Sequence, residues 1–141
     1  MISLVLPGVV DVLASFFDFG EFMLADLPGY GFAKVSKEEK KKWGALLESF
    51  LSTQKICLLL SLVDIRHDPT ADDKMMINYL YHYAVPFALV ATKADKLNKT
   101  EREKAMNRIL DMVDGVDVIP FSSQTGEGKE QVWERIFKAI D

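Results

Sequence analysis

The chain carries a single cysteine, Cys57, in its 141 residues. One thiol cannot close a disulfide within the chain. Its place in an apolar run reads as a small core residue in a reducing compartment. There is also no excess of positive charge: 17 Lys and Arg stand against 21 Asp and Glu, a net charge of −4. That balance offers no broad basic footprint for nucleic acid. The local cluster of Lys37, Lys40, Lys41 and Lys42 reads as the solvated face of a helix. No apolar run is long enough to cross a bilayer, so no membrane role is expected. The opening MISLVLPGVVDVLAS has no positively charged start, and Pro7, Gly8 and Asp11 break its apolar stretch. It is therefore not read as a secretory leader, and a cytoplasmic protein is expected. No His and Cys cluster has zinc-ligand spacing. His67 reads as a hydrogen-bonding residue rather than a base, and His82 as a favourable charge at a helix end.

What the chain does have is a regular alternation of strand-like and helix-like segments. With 141 residues, 49% of them hydrophobic, it fits one domain with a single core over 1–141. FMLAD (22–26) is a short apolar run. Ser36 and Glu39 form a capping box, and Trp43, Leu46, Leu47, Phe50 and Leu51 follow at helical spacing. KICLLLSLVD (55–64) is continuously apolar, as a strand covered on both faces is. Pro69 and Thr70 start a helix that turns Met75, Met76, Tyr79, Leu80 and Tyr83 inward. PFALVATKAD (86–95) is a strand with a polar end. Thr100 and Glu103 form another capping box, for a helix whose inner face is Met106, Ile109, Leu110 and Val113. VDVIPFSS (116–123) is a further strand. Gly126 and Gly128 lead into a last helix with Val132, Trp133, Ile136, Phe137 and Ile140 inward. The stretch VVDVLASFFDF (9–19) fits a strand paired to FMLAD or one short helix, and its β-branched and aromatic content favours the strand. The expected fold is α/β: a mostly parallel sheet with helices on both faces and right-handed crossovers.

In such a sheet, ligands bind beyond the carboxyl ends of the strands. Four ends there are polar: Asp26 before Leu27, Pro28 and Gly29; Asp64 before Ile65, Arg66 and His67; Thr92, Lys93, Ala94 and Asp95; and Ser122 with Ser123. Asp26 at a strand tip suits a hydrated Mg²⁺, a hard cation that prefers oxygen ligands. Gly29 lets a backbone N–H approach a phosphate. Asp95 offers carboxylate acceptors to guanine, whose N1–H and exocyclic amine form a donor pair that adenine lacks. The aliphatic stem of Lys93 can lie along a base face. The N–H groups of Ser122 and Ser123 can donate to a guanine carbonyl. Each piece also has a plain structural reading as a turn, a charged loop or an early cap. Their order at successive strand ends is the stronger signal.

These three pieces resemble the third, fourth and fifth motifs of P-loop GTPases. The stretches FFDFGEFMLADLPGYGFAKVSKEEKKKW (16–43), VDIRHDPTADD (63–73), TKADKLNKTE (92–101) and FSSQTGEG (121–128) together resemble the EngB family of ribosome-assembly GTPases. The likeness runs from about residue 15 to the carboxyl end, with 1–14 atypical. It implies a GTP- and GDP-binding protein with Mg²⁺, acting in large-subunit assembly and in normal division and septation. By that resemblance Asp26, Leu27, Pro28 and Gly29 would serve the magnesium and γ-phosphate end. Thr92, Lys93, Ala94 and Asp95 would read guanine, with Phe121, Ser122, Ser123 and Gln124 on its carbonyl side. Possible partners implied are the large ribosomal subunit or its RNA.

No G-x-x-x-x-G-K-[ST] occurs in the 141 residues, and no lysine or arginine precedes Lys34. The GEGK at 126–129 has the wrong spacing. The expected fold is therefore an incomplete P-loop GTPase fold, truncated at its amino end and lacking the first strand, P-loop and first helix. In the family, the first strand lies between the FMLAD and ICLLLSLVD strands. A tight turn at Pro7 and Gly8 joins hairpin neighbours only. ISLVL is thus expected to pair outside FFDF or not at all, leaving the central slot empty or closed by its flanks. Marginal stability or self-association through sheet edges would follow. Without P-loop positioning, hydrolysis should be negligible and nucleotide binding weak. A non-catalytic domain acting through protein or ribosomal RNA contacts is the competing reading. An unrelated flavodoxin-like binding domain would need no guanine reader.

Overall fold

The computed structural model describes residues 2–6, 15–18, 22–27, 37, 38, 41, 44, 45, 48, 49, 52 and 56–140. Among the described residues, six strands form one sheet: β1 (Ile2–Leu6), β2 (Ser15–Asp18), β3 (Met23–Leu27), β4 (Leu58–Asp64), β5 (Phe87–Thr92) and β6 (Val118–Pro120). Three full helices follow β4, β5 and β6 in turn: α1 (Ala71–His82), α2 (Lys99–Leu110) and α3 (Lys129–Ile140). The described residues between 37 and 52 are also helical. The expected cap at Ser36 and Glu39, and the apolar positions Trp43, Leu46, Leu47, Phe50 and Leu51, lie outside the described residues.

The strand order is β2-β3-β1-β4-β5-β6. β4, β5 and β6 pair in parallel. β1 is antiparallel to both β3 and β4, and β2 is antiparallel to β3. β3, β4, β5 and β6 therefore point one way, which is the α/β sheet expected, with β2 outside β3 as the resemblance implied. The fate expected for ISLVL is corrected. β1 fills the central slot, pairing Ile2 with Leu27 on one side and with Ser61 on the other. The error lay in treating Pro7 and Gly8 as the whole connection. Residues 7–14 all separate β1 from β2, and a connection of that length can pass a strand. With the slot filled, the expected exposure of its two apolar flanks does not arise. The occupant is still not the parallel first strand of the GTPase fold, because it runs the other way.

β4 and β5 are mostly apolar, with Ser61 the one polar residue inside them, because both their faces are covered. Successive side chains alternate between two cores. Leu59, Val63, Phe87, Leu89 and Ala91 pack with Met76, Ile77 and Leu80 of α1 and with Ala105 and Ile109 of α2. Leu58, Leu60, Ala88 and Val90 pack with Phe22 and with Ile136 of α3. Helices thus cover both faces, as expected. The rings of Phe22 and Trp133 meet edge to face at 6.3 Å.

α1 begins at Thr70, whose hydroxyl accepts from the Asp73 N–H at 3.1 Å while the Asp73 carboxylate accepts from the Thr70 N–H at 2.8 Å. The start of α2 differs from expectation. Asn98, not Thr100, is its cap, with Asn98 Oδ1 accepting from the Glu101 N–H at 2.9 Å. Asn caps at least as well as Thr and stands two residues earlier, so the helix opens there. Met75, Leu110 and Phe137, expected inward, are exposed by nearly half. They flank the apolar stripe rather than centring it, and Ile77 and Ala105 take the buried places.

Candidate nucleotide-binding site

The parallel strands bring the ends of β3, β4 and β5, and the chain leaving β6, to one rim. Asp26 and Leu27 close β3 there, paired to Ser3 and Ile2 of β1. Pro28 and Gly29, and the side chains of Asp26 and Leu27, lie outside what is described. Among the described residues no group of three His, Cys, Asp or Glu could hold a metal ion.

The base-reading half is described in full. Thr92 ends β5, and its hydroxyl donates to the Val63 carbonyl at 3.2 Å. That bond ties β5 to β4 at the rim. Lys93 adopts the left-handed conformation, with φ 61° and ψ 33°. A non-glycine residue held there carries about 1–3 kcal/mol of strain, which the surrounding bonds must hold in place. Ala94 to Lys96 then make one 3₁₀ turn. Ala94 is fully buried, and its N–H donates to the Phe121 carbonyl at 3.0 Å. This contact sets the loop after β5 against the loop after β6.

Across that junction, the Ser122 hydroxyl donates to Asp95 Oδ1 at 2.8 Å. Ser122 is fully buried, and its hydroxyl oxygen accepts from the Thr125 N–H at 3.2 Å. The bond from Ser122 is the leading cause holding the Asp95 carboxyl below its ordinary range. Asp95 Oδ2 lies 3.5 Å from Lys96 Nζ. One sequence expectation is corrected here. The Ser122 N–H cannot serve a guanine carbonyl, because it already donates to the Glu127 carbonyl at 3.0 Å. Ser123 and Gln124, which follow it, are both exposed.

Sequence reasoning missed how charges join at the rim. Asp64 accepts from the Arg66 N–H and Nε at 3.0 Å each through Oδ1, and from Nη2 at 2.8 Å through Oδ2. Lys93 Nζ lies 3.4 Å from the same Oδ2. The Arg66 side chain holds the Asp64 carboxyl well below the usual carboxylate range, against the upward push of partial burial. The Asp-x-Arg spacing at a strand end was the available signal. A carboxyl with a depressed pKa stabilises the fold above its unfolded value, about 4, and loses that contribution as the pH falls further. Asp64→Asn is therefore expected to be less stable than the parent at pH 7, with a smaller deficit at pH 3. Urea midpoints at the two pH values check this, and an equal deficit at both would show that charge is not the cause. The pair of Arg102 and Glu127 behind the rim was also missed. Two residues 25 apart on different elements leave no local pattern.

The strand order and the polar rim are those of the nucleotide-binding α/β domains of P-loop GTPases. A crystal structure of a probable GTP-binding protein EngB superposes with a TM-score of 0.77 at 19% identity, covering 90% of this chain and 81% of that one. Aquifex aeolicus Era superposes with a TM-score of 0.67 at 16% identity, over 100% of this chain and 45% of that one. Both show the fold. A family model described as "50S ribosome-binding GTPase" matches residues 10–93. The "Probable GTP-binding protein EngB" of Exiguobacterium sp. (strain AT1b) is 44% identical over 138 residues, 95% of this chain and 70% of that protein. Its namesake in Clostridioides difficile (strain 630) is 42% identical over 134 residues, 92% of this chain and 66% of that protein. The chain belongs to the EngB family of GTP-binding proteins.

Proposed function

We propose that this chain binds guanine nucleotides through the base-reading half of a GTPase site, and that alone it hydrolyses GTP weakly or not at all. The observation that carries base reading is the bond from Ser122 Oγ to Asp95 Oδ1. It presents a fixed carboxylate beside the exposed Ser123 and Gln124, an acceptor next to donors. Guanine complements that edge and adenine does not. Lys93 would lie on the base face. Asp26 would hold a water-bound Mg²⁺, with Gly29 near the γ-phosphate.

Two observations support weak phosphate handling. The 141 residues contain no G-x-x-x-x-G-K-[ST]. β1 also runs against its neighbours, so Leu6, where the chain leaves it, pairs with Met23 at the end away from the rim. A P-loop follows its strand at the rim end, and β1 leaves the sheet at the other end. Phosphoryl transfer rests almost wholly on such positioning. The cellular role we assign is assembly of the large ribosomal subunit in the cytoplasm, on which division and septation depend. The description of the matching family supports the contact with the large subunit. No helix among the described residues is long and apolar enough to cross a membrane. A second reading is a non-catalytic domain that meets ribosomal RNA or protein, favoured by the absence of a G-x-x-x-x-G-K-[ST] in the 141 residues.

Calorimetric titration with GDP, GTP and ATP, each with Mg²⁺, tests the reading. GDP and GTP should bind in the millimolar range, about −4 kcal/mol, and ATP more weakly. Phosphate release from GTP should stay at background. Equal binding of all three nucleotides, or none, would refute base reading. Enzyme-dependent phosphate release would refute the loss of hydrolysis.

A further inference from the structure

Arg102 lies in the first turns of α2, where its N–H donates to the Asn98 carbonyl at 2.9 Å. Glu127 lies in the loop between Ser122 and α3. Arg102 Nη1 donates to Glu127 Oε1 at 3.0 Å, and Nη2 meets Oε2 in a closer contact. This is the two-pronged pairing that a planar guanidinium makes with a carboxylate. The side chains are only 30% and 37% exposed, so solvent does not fully screen the pair. It joins the helix that follows the Asp95 turn to the loop that carries Ser122.

The loop is closed on itself. Glu127 offers its carbonyl to the Ser122 N–H at 3.0 Å, and Ser122 offers its carbonyl to the Gly126 N–H at 2.9 Å. The Thr125 N–H donates to Ser122 Oγ at 3.2 Å. The hydroxyl oxygen is thereby occupied on its accepting side, and its single proton is directed to Asp95. A displacement of Glu127 moves the carbonyl that holds Ser122, and with it the direction of that proton.

We propose that Arg102 and Glu127 are positioning residues for base selectivity. By clamping the Ser122–Glu127 loop to α2, they keep the Asp95 carboxylate and the Ser123 N–H at the spacing of a guanine edge. Neither residue touches the base. The inference rests on the guanine-binding reading above.

The test compares the full chain with Arg102→Ala, Glu127→Ala and the reversed pair Arg102→Glu with Glu127→Arg. Affinities for GDP and ADP are measured by NMR titration, and the Asp95 carboxyl carbon is followed through pH. Each single variant should lower the preference for GDP over ADP about fivefold. In each, Asp95 should titrate higher, towards an ordinary aspartate, as the Ser122 bond loosens. The other charges that lower Asp95 or face it, Lys96 and Arg66, are untouched. The reversed pair should recover both properties. A parent preference left unchanged in Arg102→Ala, with Asp95 titrating as before, overturns the inference and leaves the guanine-binding reading intact. A parent chain that does not prefer GDP over ADP overturns that reading and this inference with it. Should Arg102→Ala not fold, Arg102→Lys takes its place, since it keeps the charge and loses the fork.

Discussion

Asp95→Asn should exchange a preference for guanine for one for xanthine. Guanine presents two adjacent donors, N1–H and the exocyclic amine, to the two acceptor oxygens of a carboxylate. Xanthine keeps N1–H but has a carbonyl where guanine has the amine. An asparagine amide offers one acceptor and one donor, which matches xanthine and sets a donor against the guanine amine. The structure also orients that amide. The Ser122 hydroxyl, which donates to Oδ1 at 2.8 Å, needs an acceptor there, so the amide oxygen faces Ser122 and the amine takes the place of Oδ2. Lys96 Nζ, 3.5 Å from Oδ2, then loses its partner, but its side chain is 53% exposed and can turn to solvent. Sites built around such polar pairs reject the mismatched partner strongly, so GDP affinity should fall at least about tenfold while xanthosine diphosphate gains. Competition between GDP, xanthosine diphosphate and ADP checks the exchange. Equal losses for all three would mean that Asp95 acts on folding rather than on the base.

Gly128→Ala should be among the most damaging small substitutions in the described residues. Gly128 has φ +83°, and a Cβ built there falls 2.2 Å from the Pro120 carbonyl oxygen and 3.2 Å from the Phe121 Cα. Those are backbone atoms at the end of β6, which cannot turn aside as a side chain can. Left-handed strain and overpacking together cost about 3 kcal/mol or more, a large part of the roughly 5–15 kcal/mol that holds a domain folded. Thermal unfolding should drop by roughly 10 °C. Gly126→Ala is the control. Gly126 has a similar φ of +82° but nothing within 4 Å of the added carbon, so it should cost only about 1 kcal/mol. Equal losses in the two variants would show that φ, and not contact with Pro120, sets the cost. The loop that Gly128 closes also holds Ser122, so a surviving Gly128→Ala chain should also lose base selectivity.

Much of this architecture is legible in the sequence. The largely apolar runs before Asp64 and Thr92 identified β4 and β5, because a strand covered on both faces has no polar side to show. Thr70 marked the start of α1 through its own chemistry. Asn98 was passed over because Thr100 and Glu103 have the same spacing as a cap and its partner, and only the folded chain decides between overlapping boxes. The position of β1 was not readable, since pairing with β4 is non-local and leaves no periodic trace in ISLVL. At the site, Asp95 and Ser122 were each visible as motif residues, but not the hydrogen bond that makes them one unit. The commitment of the Ser122 N–H to Glu127 depends on a loop that doubles back, which no spacing rule predicts.

The direction of β1 also bears on how the chain acquires its structure. From β4 onward each strand meets its neighbour after one helix, and residues 56–140 can assemble from contacts of modest separation. β1 meets β3 after residues 7 to 22 have been looped back, but it joins Ser61 of β4 only after residues 7 to 57 have been. Ladders that close such long loops form late, since the entropy of closure is lost before any contact repays it. Until β1 arrives, the flank of β4 that it will cover stays open to solvent, and so to any other extended segment that reaches it first. The amino-terminal residues thus act as an internal competitor, and their success on that flank separates productive folding from pairing with a foreign strand.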